Sequence, residues 1–185
     1  MEFASYLGGN PGEIRWAIPV DEVTPFSLPA GYVVLNIGAT KTANKWTVKG
    51  FAGLAESIQR RFHLYSVITG GKEDIQAAEA ITSLSGAKII NLAGKTSISD
   101  LKGIIAESRA VISADTGPMH LAVALGKEVI GLFGPSDPSR TGPLNNRVIR
   151  HDLCCAPCHQ RQCSHSTCME RIDVQQIMDA LEDLL

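Results

Sequence analysis

The chain has 185 residues, enough for one domain with its own core, and 44% hydrophobic with 19% charged residues is a globular composition. A net charge of −2 with no long basic run argues against nucleic acid as a partner. No apolar stretch is long enough to span a bilayer, and Met1-Glu2-Phe3-Ala4-Ser5 lacks the basic and apolar regions of a signal peptide, so a cytoplasmic protein with at most peripheral membrane contact is expected.

Residues 1–30 differ from the rest. They hold Gly8-Gly9-Asn10-Pro11-Gly12, Pro19, Pro25 and Pro29, which is linker composition, and only Arg15-Trp16-Ala17-Ile18 suits a short strand. From Tyr32 onward the pattern is regular. A buried strand over 33–37 leads to a helix in which Phe51, Leu54, Ala55, Ile58 and Phe62 recur at helical spacing behind a Thr47 cap. A strand over 64–68 ends at Gly70-Gly71, a helix spans about 73–84, and a strand follows over 88–92. Ser97-Ile98-Ser99-Asp100 opens a helix with Leu101, Ile104 and Ile105 inward. Then come a strand over 110–114, a helix over 117–125 closed by Gly126, a strand over 128–133 and a short strand over 147–149. The last helix starts near Asp173 and buries Ile177, Ala180, Leu181 and Leu184. Alternating apolar strands and amphipathic helices predict an α/β fold, a doubly wound parallel sheet with helices on both faces, whose ligands bind beyond the carboxyl ends of the strands. The domain runs over 31–185, with a cysteine-rich loop over 154–168.

The run Ser113-Ala114-Asp115-Thr116-Gly117-Pro118-Met119-His120 joins the end of a buried strand to a helix start. Asp115 or Thr116 can cap that helix and Pro118 suits its first turn. The unpaired N–H groups and positive dipole end there favour phosphate, and Gly117 permits close approach of a ligand. Thr116 adds a hydroxyl and His120 an imidazole. A carboxylate repels phosphate, so Asp115 is suited to accept hydrogen bonds from hydroxyls. No Gly-x-Gly-x-x-Gly follows the first strand, which disfavours a nicotinamide dehydrogenase. Gly94-Lys95-Thr96 imitates a P-loop tail, but the earlier glycine would fall at Ile89, so it reads as a strand-to-helix turn.

Asp115-Thr116-Gly117-Pro118-Met119-His120-Leu121-Ala122, followed by Leu125-Gly126-Lys127 and Leu132-Phe133-Gly134-Pro135-Ser136-Asp137-Pro138, closely resembles the family-9 glycosyltransferases, the ADP-heptose:lipopolysaccharide heptosyltransferases. Asn36-Ile37-Gly38-Ala39-Thr40 through Asn44-Lys45-Trp46 resembles the family's first strand and loop of the nucleotide-sugar domain. The resemblance covers about residues 32–180 and implies the Rossmann-like C-terminal half of a GT-B transferase. Residues 1–30 would then be the tail of the N-terminal domain and the interdomain linker. It also implies that Thr40, Thr116, Gly117 and Lys45 meet the diphosphate of an ADP-heptose donor, that Asp115 and His120 belong to the same donor turn, and that Glu73 faces the ribose. No cofactor is required for the transfer. The lipopolysaccharide-core acceptor and the general base, an aspartate in this family, belong to the N-terminal domain, so the 185 residues alone are expected to bind nucleotide without transferring sugar. A stand-alone flavodoxin-like binding or regulatory domain and another GT-B sugar-nucleotide enzyme are the alternatives.

Cys155, Cys158, Cys163 and Cys168 form a C-x2-C-x4-C-x4-C array with Cys154 beside it. Such an array can hold zinc or an iron–sulfur cluster, pack as reduced thiols, or, less in keeping with the expected compartment, form a disulfide.

Overall fold

The computed structural model describes residues 6, 8, 16, 18–20, 25–144, 146–165 and 167–185. Most of the proposed linker, with the short strand expected over 15–18, lies outside the described residues.

Six parallel strands form one sheet: β1 (Tyr32–Asn36), β2 (Tyr65–Thr69), β3 (Ile89–Asn91), β4 (Ala110–Ala114), β5 (Val129–Phe133) and β6 (Arg147–Arg150), in the order β3-β2-β1-β4-β5-β6. The helices are α1 (Val48–Phe62), α2 (Ile75–Leu84), α3 (Ile98–Glu107), α4 (Gly117–Ala124), α5 (Pro138–Thr141), α6 (Thr167–Glu170) and α7 (Val174–Glu182). The expected α/β class and doubly wound sheet are therefore observed. Three short elements carry no apolar period and were not expected: a 3-10 turn at Thr42–Asn44, α5 and α6.

Side chains alternate across the sheet, and each face has its own core. Val33, Leu35, Ile68 and Ile112 pack against α1 and α7 through Leu54, Ile58, Ile177 and Leu181. Val34, Val67 and Val111 pack on the other face against α3 and α4 through Ile104, Ile105, Met119 and Ala122. The helix ends follow local chemistry. Thr47 accepts from the Gly50 N–H, Ser97 and Asp100 form a reciprocal capping box, and Asp173 accepts from the Gln175 N–H. Gly126, at φ +69°, turns the chain out of α4 as expected, and Gly94, at φ +71°, belongs to the turn between β3 and α3. Helix α7 buries Ile177 and Leu181 as expected. Met178 takes the third buried position, while Ala180 and Leu184 are only partly buried. Among the described residues no helix is long and apolar enough to cross a membrane.

The strand order reverses between β1 and β4, because the chain leaves β1 toward β2 and β3 and returns to β4 on the other side. That reversal opens a crevice above the carboxyl ends of β1 and β4, where open α/β sheets bind ligands.

Candidate functional site

Three polar residues lie side by side in the last paired register positions of their strands. Asn36 of β1 is paired with Thr69 of β2 and with Ser113 of β4. All three are buried. The Thr69 hydroxyl donates to Asn36 Oδ1 at 3.3 Å, and Asn36 Nδ2 donates to Ser113 Oγ at 2.9 Å and to Thr116 Oγ1 at 3.2 Å. The Ser113 and Thr116 hydroxyls lie 3.1 Å apart. Buried polar groups are tolerated when bonded, and this chain of bonds ties the ends of three strands to the start of α4.

Above this row lies an open cleft of about 270 Å³ walled by the loops after β1, β2, β3 and β4. Thr40, Glu73, Thr116 and Gly117 all line it, as do Asn36, Thr69, Gly71, Asp74, Ser97 and Ile98. Thr116 occupies the N-cap position of α4, but its side chain makes no cap bond. The expected side-chain cap is corrected on a physical ground: the hydroxyl turns back onto Ser113, the Ala114 carbonyl and Asn36. The helix start is thus left without the acceptor that a capping side chain supplies.

Asp115 and His120 sit beside the cleft rather than on its wall. Asp115 Oδ2 accepts from the Thr141 hydroxyl at 3.1 Å, and His120 Nε2 is 3.8 Å from Asp115 Oδ1, an ion pair when the imidazole is protonated. Thr141 closes α5, whose start is capped by Asp137, and the Ser139 hydroxyl and N–H hold the Asp137 carboxyl below its ordinary value.

Lys45 is engaged by the protein itself. Its ammonium lies 2.5 Å from Oδ1 of Asp74, a buried carboxylate that also accepts from the Gly71 N–H at 2.9 Å. Sequence reasoning selected the neighbouring Glu73, which is exposed on the cleft wall, and missed Asp74. Asp74 is seated against Gly38. A Cβ there would come within 2.7 Å of Asp74 Oδ2, so the glycine makes room for the carboxylate. Asn36 and Ser113 were missed as well, although a polar residue inside an apolar strand is a readable sign.

The cysteines are spread apart in exposure. Cys154, Cys155 and Cys163 are exposed, Cys158 is half-buried and Cys168 is buried, all as free thiols. Burial pushes the Cys168 thiol up. Gly134 faces it closely: a Cβ there would meet Cys168 Sγ at 2.8 Å. Among the described residues no three His, Cys, Asp or Glu side chains gather as metal ligands. The segment is instead tied by its backbone. The His159 N–H donates to the Pro135 carbonyl at 2.8 Å, and the Arg161 carbonyl accepts from the Ala43 N–H and the Thr42 hydroxyl, both at 3.2 Å.

A family model described as glycosyltransferase family 9 (heptosyltransferase) matches residues 13–169. The lipopolysaccharide core heptosyltransferase OpsX of Haemophilus influenzae is 30% identical over 155 residues, covering 79% of this chain and 44% of that protein. A lipooligosaccharide heptosyltransferase 2 of Campylobacter jejuni is 29% identical over 160 residues, 82% of this chain and 50% of that protein. The solved structure of Escherichia coli ADP-heptose lipopolysaccharide heptosyltransferase II superposes with a TM-score of 0.73 at 26% identity, covering 86% of this chain and 48% of that one. The chain spans about half the length of the relatives it matches. The doubly wound sheet and the match over most of the sequence lead to one assignment: the chain belongs to glycosyltransferase family 9, the heptosyltransferase family.

Proposed function

We propose that this chain is the donor-binding half of a heptosyltransferase of lipopolysaccharide core synthesis, working on the cytoplasmic side and binding ADP-heptose in the cleft above β1 and β4. In the full reaction an acceptor hydroxyl attacks the anomeric carbon, the bond to the diphosphate breaks, and ADP leaves with the electron pair. The task of this half is to stabilise the charge that develops on the leaving diphosphate. The Thr40 hydroxyl, the Thr116 hydroxyl once its proton turns from the Ala114 carbonyl to the ligand, the Gly117 N–H at the start of α4 and the Lys45 ammonium are the groups suited to it. Asp115, with His120 beside it, suits the hydroxyls of the sugar. The proton of the acceptor goes to a base supplied by the other half of the transferase. The cysteine segment carries reduced thiols, of which Cys168 packs in the core.

The observation that carries this reading is the convergence of Thr40, Glu73, Thr116 and Gly117 on one cleft at the reversal of strand order, in a chain of this family. Calorimetry of the 185-residue chain tests it. ADP should bind and should outcompete UDP, and the chain alone should turn over no ADP-heptose. Tighter binding of UDP would move the assignment to another sugar-nucleotide enzyme, and robust turnover would overturn the division of labour.

A further inference from the structure

Lys45 and Asp74 come from different loops, one after β1 and one after β2; Asp74 lines the cleft, and Lys45, which is not one of its lining residues, meets Asp74 from behind it. The Asp74 side chain is only 2% exposed and that of Lys45 32%. A carboxylate this deeply buried needs its charge matched, and removing its partner is costly. Asp74 has two partners, the Gly71 N–H and the Lys45 ammonium. Its seat is prepared, since Gly38 leaves room for Oδ2. Lys45, by contrast, follows the short 3-10 turn Thr42–Asn44 in extended backbone, and its side chain is partly exposed. The buried carboxylate is therefore the fixed member of the pair and the lysine the held one. An ammonium has three donors, and Asp74 takes one of them from a position on the cleft wall. Lys45 can serve a ligand from that place but cannot swing away without stranding a buried charge.

We propose that Asp74 is a positioning residue, whose carboxylate fixes the Lys45 ammonium at the cleft so that its remaining donors meet the diphosphate of the bound nucleotide. This rests on the donor-cleft reading above. It differs from a ribose or sugar contact, because Asp74 acts through Lys45 and only on ligands that carry phosphate.

Asp74→Asn keeps the shape and can still accept from the Gly71 N–H while losing the charge that holds Lys45. The test compares ADP with adenosine by calorimetry on the 185-residue chain. Loss of a charge-assisted contact predicts about a tenfold weaker ADP affinity with adenosine affinity unchanged. Lys45→Met should produce a similar loss, and the double variant should lose no more than either single one. An Asp74→Asn chain that binds ADP as well as or better than wild type, that loses adenosine in equal measure, or whose loss adds to that of Lys45→Met overturns the proposal. Absence of ADP binding by the wild type overturns both this and the donor-cleft reading, so the two failures are distinguishable. Should Asp74→Asn fail to fold, nitrogen-detected NMR of the wild-type lysine ammonium groups decides. The Lys45 signal, assigned by its loss in Lys45→Arg, should be protected from exchange in the free chain and should shift with ADP but not with adenosine. A Lys45 signal averaged with those of surface lysines overturns the proposal.

Discussion

The turn after β4 and the cysteine segment after β6 are equally rich in reactive residue types, and the fold uses them in opposite ways. At the turn the side chains bond to one another and to the strand ends. Ser113 is fully buried, Thr116 bonds to it and to Asn36, and Asp115 bonds to Thr141. In the cysteine segment the backbone does the tying, through His159 and Arg161, while Cys154, Cys155 and Cys163 stay exposed. The difference comes from topology. Strands β1, β2 and β4 deliver Asn36, Thr69 and Ser113 to one row, whereas the cysteine segment, after β6, is tied by backbone bonds to the loops after β5 and β1, with no strand to aim its side chains. Reactive residue types make a site only where regular elements converge them.

The largest effect that can test this contrast is expected at Asn36. Asn36→Ala removes the member that joins Thr69, Ser113 and Thr116 and takes from the buried Thr69 hydroxyl its acceptor, Asn36 Oδ1. A loss of about 3 kcal/mol is expected in urea unfolding, against less than about 0.5 kcal/mol for Cys154→Ser on the surface. Equal losses would erase the contrast. Thr116→Val comes next. It keeps the shape of the side chain and removes one hydroxyl, so stability should fall by about 1 kcal/mol and ADP affinity by about fivefold, a single lost hydrogen bond. Unchanged ADP affinity by calorimetry would take Thr116 out of the donor site and leave it as a bond within the row.

The strands and long helices were legible because their signals are local. Thr47, Ser97 and Asp173 cap where the sequence indicated, and the apolar runs lie within a residue or two of the observed strands. The ends of the fold were less legible. The turn at Thr42–Asn44 is tied to Arg161, more than a hundred residues away, by bonds that no periodicity reports. The cleft itself was half-readable. Thr40, Thr116 and Gly117 are loop residues beside strand ends and announce themselves. The pairing of Lys45 with Asp74 is a contact between two loops, and only the folded sheet brings those loops together. The Thr116 side chain misled for the opposite reason: its local chemistry favours capping, but three buried partners compete for the same hydroxyl and prevail.

The smallest expected effect lies inside the cysteine segment's own contrast, between Cys168 and its exposed neighbours. Burial raises the Cys168 thiol, so the folded state keeps a proton that the unfolded chain gives up near the ordinary cysteine value of about 8.5. Between that value and the higher folded one the native state binds more protons than the unfolded state, and stability should fall as pH rises. Below it this thiol contributes no slope. Cys168→Ala should therefore flatten the decline of unfolding free energy above about pH 8.5. The same order should appear in alkylation, with Cys154, Cys155 and Cys163 modified first and Cys168 last, because the thiolate is the reacting species and Cys168 is both shielded and protonated. An unchanged slope in Cys168→Ala, together with alkylation of Cys168 as fast as of Cys154, would mean that α6 does not hold this thiol against Gly134, and the segment would then have no buried side-chain anchor among its cysteines.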